Sequence, residues 1–241
     1  MFGKRKKPTQ TNLARHYLQK QGMNLHLYVI HLARLHLVTK HLPKADVIID
    51  LGGANSPLYQ LGYPYSFRKM TMVDLPPDER DDQYKDIVTP SDVADDGGVI
   101  AIQYGSMIDL DDFKDESVDL VWSGQSIEHI SREDGEKMCR NVYRILRKGG
   151  SFCLDTPNRY LTELHTKEAG DGFINPDHKF EYYSDDLENL LKASGFRIYE
   201  KLGLCHMPNS ETEFMYGDFI VGDLITKDVR HSYVQYFHCK K

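Results

Sequence analysis

From residue 12 to about residue 42 the apolar positions recur at helical spacing. Leu13, Tyr17, Leu25, Tyr28, Val29, Leu32, Leu35 and Val38 sit among polar neighbours, which predicts one or two amphipathic helices. His26, His31, His36 and His41 fall there at steps of five, so they turn progressively around a helix instead of stacking as a ligand set and read as surface or rim side chains. After Pro43 the period shortens. Residues 47–50, 69–73, 99–104, 118–123 and 151–156 are short runs rich in apolar and β-branched residues, the pattern of buried strands. Residues 132–147 return to helical spacing with Met138, Val142, Ile145 and Leu146, and Gly149-Gly150 reads as the end of that helix. Residues 158–183 form a long polar connection, Ser184 caps a further helix through Ala193, and a terminal β region begins at Phe196. Strands alternating with helices predict an α/β fold on a mainly parallel sheet.

Composition narrows the class. A chain of 241 residues suits one sizeable core with local additions, and its 40% hydrophobic and 27% charged residues are those of a soluble, folded protein. The formal charge of −6 supplies no basic field to attract nucleic acid or anionic lipid. The basic run Lys4, Arg5, Lys6 and Lys7 lies at the extreme N-terminus and reads as a solvated tail. Cys139, Cys153, Cys205 and Cys239 show no CxxC spacing and read as free thiols. No leader-like apolar region follows the first methionine and no stretch approaches the ~20 apolar residues of a membrane span, so the expected location is the cytoplasm.

The chemistry-bearing residues stand at the ends of the predicted strands, where an open parallel sheet binds ligands. Asp50-Leu51-Gly52-Gly53-Ala54 follows the first strand. Its glycines allow close approach of backbone amides, and Asp50 would anchor the turn. Asp74, 24 residues after Asp50, ends the second strand beside Leu75 and is placed to accept hydrogen bonds from a ribose. Gly105-Ser106-Met107 ends the third, and Ser123-Gly124-Gln125 ends the fourth. A nicotinamide dinucleotide is the competing ligand for such a crevice, but no G-x-G-x-x-G follows Asp50 to accommodate a pyrophosphate.

Over roughly residues 45–199 the chain resembles the class I S-adenosylmethionine-dependent methyltransferases. Residues 47–56 resemble the family's first motif, Val73-Asp74 its second, Gly105-Ser106-Met107 the loop beside adenine, residues 118–130 the segment ending beneath the cofactor, and residues 144–150 the turn before strand five. The resemblance implies a Rossmann-like doubly wound fold that binds S-adenosylmethionine and releases S-adenosylhomocysteine. It implies cofactor contacts from Asp50, Leu51, Gly52, Gly53, Ala54, Asp74, Leu75, Ser106, Met107, Ser123, Gly124 and Gln125. Two departures stand out: Ala54-Asn55-Ser56 replaces the stretch that commonly holds a third glycine, and Ser106 stands where many members place an acid. The expected organisation is a tail and helical lid over residues 1–43 and a methyltransferase domain over 44–241.

For the acceptor side, the candidate catalytic residues are His129, His178 and Asp155. Arg159, His178, Lys179, His16 and Tyr17 are candidate acceptor ligands. Asp155 with Asp177, His178 or Glu181 could gather oxygens around a divalent ion, but no metal is assigned. The looser likeness of residues 155–159 and 175–184 to enzymes of bacterial surface-polysaccharide and sugar modification implies O-methylation of a carbohydrate or sugar-acid hydroxyl. A small natural product, quinone or lipid acceptor remains open, as does a non-catalytic domain on the same fold. Nucleic acid is set aside, because the chain is acidic and the fourth strand ends in Ser123-Gly124-Gln125. Residues 205–241 could complete the sheet, cover a substrate or exchange between subunits, and nothing in the pattern sets an oligomeric state.

Overall fold

The computed structural model describes residues 25–53, 57–80, 98–167 and 172–241. Its strands are β1 (Val47–Leu51), β2 (Lys69–Asp74), β3 (Val99–Tyr104), β4 (Val118–Gly124), β5 (Leu146–Pro157), β6 (Arg197–His206), β7 (Ile225–Thr226) and β8 (Ser232–Lys240). The helices are α1 (Leu25–His41), α2 (Arg132–Ile145), α3 (Arg159–Thr166), α4 (Ser184–Ala193) and α5 (Asp218–Val221). The strands join one sheet in the order β3-β2-β1-β4-β5-β8-β6-β7, parallel from β3 to β5 and antiparallel from there outward. This is the Rossmann-like α/β architecture that the strand-helix alternation and the family resemblance implied.

The strands are buried on both faces, and period-two alternation sorts their side chains between two cores. Ile48, Leu120, Trp122, Cys153 and Tyr236 face one layer with Ile30, Ala33, Leu37 and Val38 of α1. Ile49, Leu51, Val121, Phe152, Leu154 and Phe237 face the other with Met138, Val142 and Ile145 of α2 and Leu187 and Leu191 of α4. Helix α1 is therefore part of the packing that sandwiches the sheet. The remainder of the predicted N-terminal helical stretch, with His16 and Tyr17, lies outside the described residues, as does Ala54.

Four local expectations are corrected. Helix α2 stops at Ile145, and Gly149-Gly150 falls inside β5, where Gly149 has φ +74° and exchanges backbone bonds with the chain end. The local pattern could not show that partner: the Gly149 amide donates to the Lys241 carbonyl at 3.1 Å and the Lys241 amide to the Gly150 carbonyl at 3.2 Å. The long polar connection contains α3, started by the Asn158 side chain accepting the Tyr160 amide and held by buried Leu161 and Leu164. Ser184 is the first residue of α4 and makes no cap; Tyr183 occupies the cap position without a side-chain capping bond. His31 is half-buried rather than at the rim, and burial beside the Arg34 charge holds its pKa down to about 3.

The C-terminal segment completes the sheet: β8 inserts between β5 and β6, pairing Cys153 with His238 and Leu204 with Val234. All four cysteines are buried and free. No described helix is long and apolar enough to cross a membrane.

Candidate functional site

Strand order reverses direction at β1, whose neighbours are β2 on one side and β4 on the other, so the crevice opens at the carboxyl ends of these strands. Its β1 side is made by a tight turn. Gly52 has φ +69°, and its amide donates to the Val73 carbonyl at 2.8 Å. A Cβ there would come within 2.7 Å of Ser126 Cβ, and one on Gly53 within 2.3 Å of the Asp50 carboxyl carbon. The turn thus wraps directly around Asp50, which is buried and accepts the Leu58 amide on Oδ2 at 2.6 Å. Its Oδ1 has no partner among the described residues. Burial, with the Asp74 charge nearby, pushes the Asp50 pKa up to about 7 against the opposing effects of the Leu58 amide and Arg34. At the next strand end, Asp74 Oδ1 accepts the Leu75 amide at 2.8 Å and faces Arg80 at 3.1 Å. Leu75 is exposed, and Ser106 accepts the Ile108 amide at 3.3 Å within its own turn.

Strand β4 is tied to this wall through side chains. Ser126 donates to the Leu51 carbonyl at 2.9 Å, and Ser123 lies 3.3 Å from the Ser126 hydroxyl. Gln125 takes φ +54°, a left-handed conformation unusual for a residue with a side chain. Its amide donates to the Asp155 carbonyl at 2.8 Å and its side chain to Asp155 Oδ2 at 3.1 Å. The same Oδ2 accepts Arg34 Nε at 2.8 Å in an ion pair with both side chains buried. Gly124 makes room for the pair, since a Cβ there would stand 2.5 Å from Arg34 Nη2. Asp155 is therefore held inside the protein against a cation from α1, not gathered with Asp177, His178 and Glu181. Burial raises its pKa, with Arg34 and Gln125 pulling the other way.

A separate polar cluster occupies the ends of β4 and β5. Glu128 is fully buried; Oε2 accepts the Thr156 hydroxyl at 2.9 Å and Oε1 has no partner among the described residues. The Glu128 carbonyl accepts the amides of Lys179 at 2.7 Å and Phe180 at 3.2 Å, pinning the distant loop to this strand end. His129 Nδ1 lies 2.8 Å from Asp177, His178 Nδ1 lies 2.6 Å from Glu181, and the two rings meet edge to face at 4.9 Å. Buried Glu181 also accepts the Thr162 hydroxyl and lies 3.6 Å from Arg159. Burial opposes charge on His178, but the Glu181 bond and the Glu128, Glu181 and Asp177 charges outweigh it and raise its pKa above the ordinary value. Burial raises the Glu128 pKa, partly offset by the two histidines.

His129 and His178, predicted separately, are thus brought together. Arg159 and Lys179 are also nearby, but their charges are already engaged. Arg159 donates to the Gly172 carbonyl at 3.1 Å and stacks 5.0 Å from the Phe173 ring, and Lys179 lies 3.7 Å from Asp177. Sequence reasoning assigned no role to Arg34 or Glu128. Arg34 carried a signal, a lone cation flanked by apolar residues within the helical stripe of α1; Glu128 carried one in standing directly after Ile127 and before His129. A cleft of about 330 Å³ between α2 and α4, lined by Arg132, Glu136, Arg140 and Asp186, includes none of these strand-end residues.

Residues 50–154 match the family model of a methyltransferase domain. A Mycolicibacterium smegmatis protein named as an S-adenosylmethionine-dependent methyltransferase is 34% identical over 107 residues, which are 44% of this chain and 39% of that protein. The chain therefore spans well under half the length of that curated relative. A methyltransferase structure from Thermotoga maritima superposes with a TM-score of 0.61 at 18% identity over 96% of both chains. One from Archaeoglobus fulgidus gives 0.57 at 15% identity, over 94% of this chain and 99% of its own. At these identities the two structures speak to the fold.

Proposed function

We propose that this chain, whose residues 50–154 match the family model of a methyltransferase domain, transfers a methyl group from S-adenosylmethionine to a hydroxyl of a small polar acceptor, with a carbohydrate or sugar acid as the favoured class. The observation that carries the cofactor reading is the Gly52-Gly53 turn closed around buried Asp50, whose Oδ1 has no partner among the described residues. A turn with no space for a side chain and an unsatisfied carboxylate oxygen suits the ammonium end of an amino-acid-bearing ligand. Asp74, oriented by the Leu75 amide and Arg80, would accept from the ribose hydroxyls. Met107, whose Cε would lie 3.7 Å from a Cβ on Gly52, would bound the same space. The bound cofactor supplies an already activated methyl, so this chain's work is to position the acceptor oxygen and lower the cost of its deprotonation.

The Glu128, His129 and His178 cluster is assigned to that task. It is the group of titratable side chains that the fold brings to the ends of β4 and β5, and the Asp177 and Glu181 bonds fix both rings. Its polar surroundings favour an acceptor with several hydroxyls over a lipid. Helix α1, ending at His41, serves as one wall of this domain.

Calorimetric titration with S-adenosylmethionine and S-adenosylhomocysteine, followed by a methyl-transfer screen over sugar, sugar-acid, quinone and lipid acceptors, tests the reading. Asp74→Ala is expected to weaken cofactor binding about 10- to 100-fold, as loss of hydrogen bonds to a charged group does. A folded parent that binds neither form of the cofactor overturns the proposal. Binding without transfer to any acceptor would favour a non-catalytic domain.

A further inference from the structure

We infer that Glu128, His129 and His178 form a binding site for one divalent transition-metal ion at the carboxyl ends of β4 and β5. Each of the three offers a ligand atom, and these atoms lie within 4.8 Å of one another. Ligands about 2.0–2.2 Å from a shared ion stand roughly 3–4 Å apart, so a small side-chain adjustment closes the set.

Three independent features point to a cation. Glu128 is completely buried, yet its Oε1 is satisfied by nothing among the described residues. An unpaired carboxylate oxygen in such a place is costly unless something binds it. Each imidazole has Nδ1 on a carboxylate, His129 on Asp177 at 2.8 Å and His178 on Glu181 at 2.6 Å. That is how metal-bound histidines are usually oriented, and it assigns Nε2 of each ring to the ion. The charges also agree: Glu128, Asp177 and Glu181 crowd the site, while among the described residues Arg159 and Lys179 each pair with one acid, at 3.6 Å from Glu181 and 3.7 Å from Asp177.

Two imidazoles and one carboxylate suit Zn²⁺, Fe²⁺ or Mn²⁺ better than Ca²⁺ or Mg²⁺, which favour oxygen-rich shells. Three protein ligands leave coordination positions open, as in catalytic metal sites. The role of the ion, though not its binding, rests on the methyl-transfer reading. The acceptor oxygen would occupy an open position, and its hydroxyl proton would leave to solvent. The oxygen then bonds to the methyl carbon while the carbon-sulfur electron pair stays on sulfur. In that arrangement the two histidines are ligands and neither acts as the base.

The test uses the full chain, stripped with a chelator and titrated calorimetrically with Zn²⁺ and with Mn²⁺, with metal content measured after desalting. Cofactor affinity and thermal midpoint are followed in the same preparations. One ion per chain is expected. His178→Ala and Glu128→Gln should each weaken binding at least a hundredfold, and Asp177→Asn about 10- to 100-fold. His231→Ala, at a histidine paired with Asp228 elsewhere, should bind as the parent does. If Glu128→Gln does not fold, His129→Asn replaces it. A folded parent that takes up no ion overturns the site, and so does His178→Ala or His129→Asn binding the ion as tightly as the parent. Cofactor binding without ion binding removes the metal site alone; ion binding without cofactor binding removes the methyl-transfer reading and leaves the site standing.

Discussion

On the β1 and β2 side of the crevice, the site is made of backbone and near neighbours. Gly52 and Gly53 fold back on Asp50 from two and three residues away, and Asp74 is oriented by the amide of the next residue. On the β4 and β5 side almost nothing is local. Thr156 reaches Glu128 across 28 positions, Asp177 reaches His129 across 48, and Arg34 reaches Asp155 across 121. The first side can be read as a motif with spacing, and the second exists only once the sheet has formed. A nucleotide-like ligand with fixed groups can be held by a recurring turn, whereas the polar cluster at the ends of β4 and β5 is assembled from the loops that the fold delivers there.

The sharpest way to break that contrast is to remove the charge that α1 contributes to the second side. Arg34→Met leaves Asp155 buried without its cation and should cost about 3–5 kcal/mol in denaturant unfolding. The double variant Arg34→Met with Asp155→Leu should regain most of that loss. Full stability in the single variant would mean that the pair carries no weight. The complementary change on the first side is Gly53→Ala, which puts a Cβ 2.3 Å from the Asp50 carboxyl carbon. Overpacking of this kind costs about 1–3 kcal/mol. The expected readout is a cofactor affinity lowered roughly 5- to 100-fold, with ion binding at Glu128, His129 and His178 unchanged.

The last test is the pH dependence that Asp50 gives the first side. Burial raises the Asp50 pKa from 3.8 to about 7, so the folded protein keeps a proton there that the unfolded chain has already lost. Stability should therefore decline as pH rises from about 4 and level off past about 7. A cationic ligand favours the ionised carboxylate, so cofactor affinity should rise toward about pH 7, by at most about tenfold per unit, and then flatten. Calorimetry in buffers of different ionisation enthalpy would detect the released proton. Asp50→Asn should abolish the proton release and the affinity slope, and should reduce the stability slope to the part left by buried Asp155 and Glu128.

Much of the fold was legible because its strongest signals are short-range. The β-branched and apolar runs marked β1, β3, β4 and the main part of β5, and the spacing of Met138, Val142 and Ile145 marked α2. Helix α3 was missed because eight residues give too few turns to establish a period. The end of α2 was placed too late because Gly149-Gly150 looks like a helix stop, while its partner is Lys241 at the far end of the chain.

By itself, the sequence determined the alternation of strands and helices, the glycine turn after Asp50, the acid at the end of β2 and the presence of histidines near the later strand ends. Those features follow from residue type at fixed spacing, which local sterics and burial translate directly into structure. Tertiary structure decided the insertion of β8 between β5 and β6, the pairing of Arg34 with Asp155 and the meeting of Glu128, His129 and His178. These depend on which distant segments share a layer. That choice is made by collective burial of both sheet faces, so no local pattern encodes it.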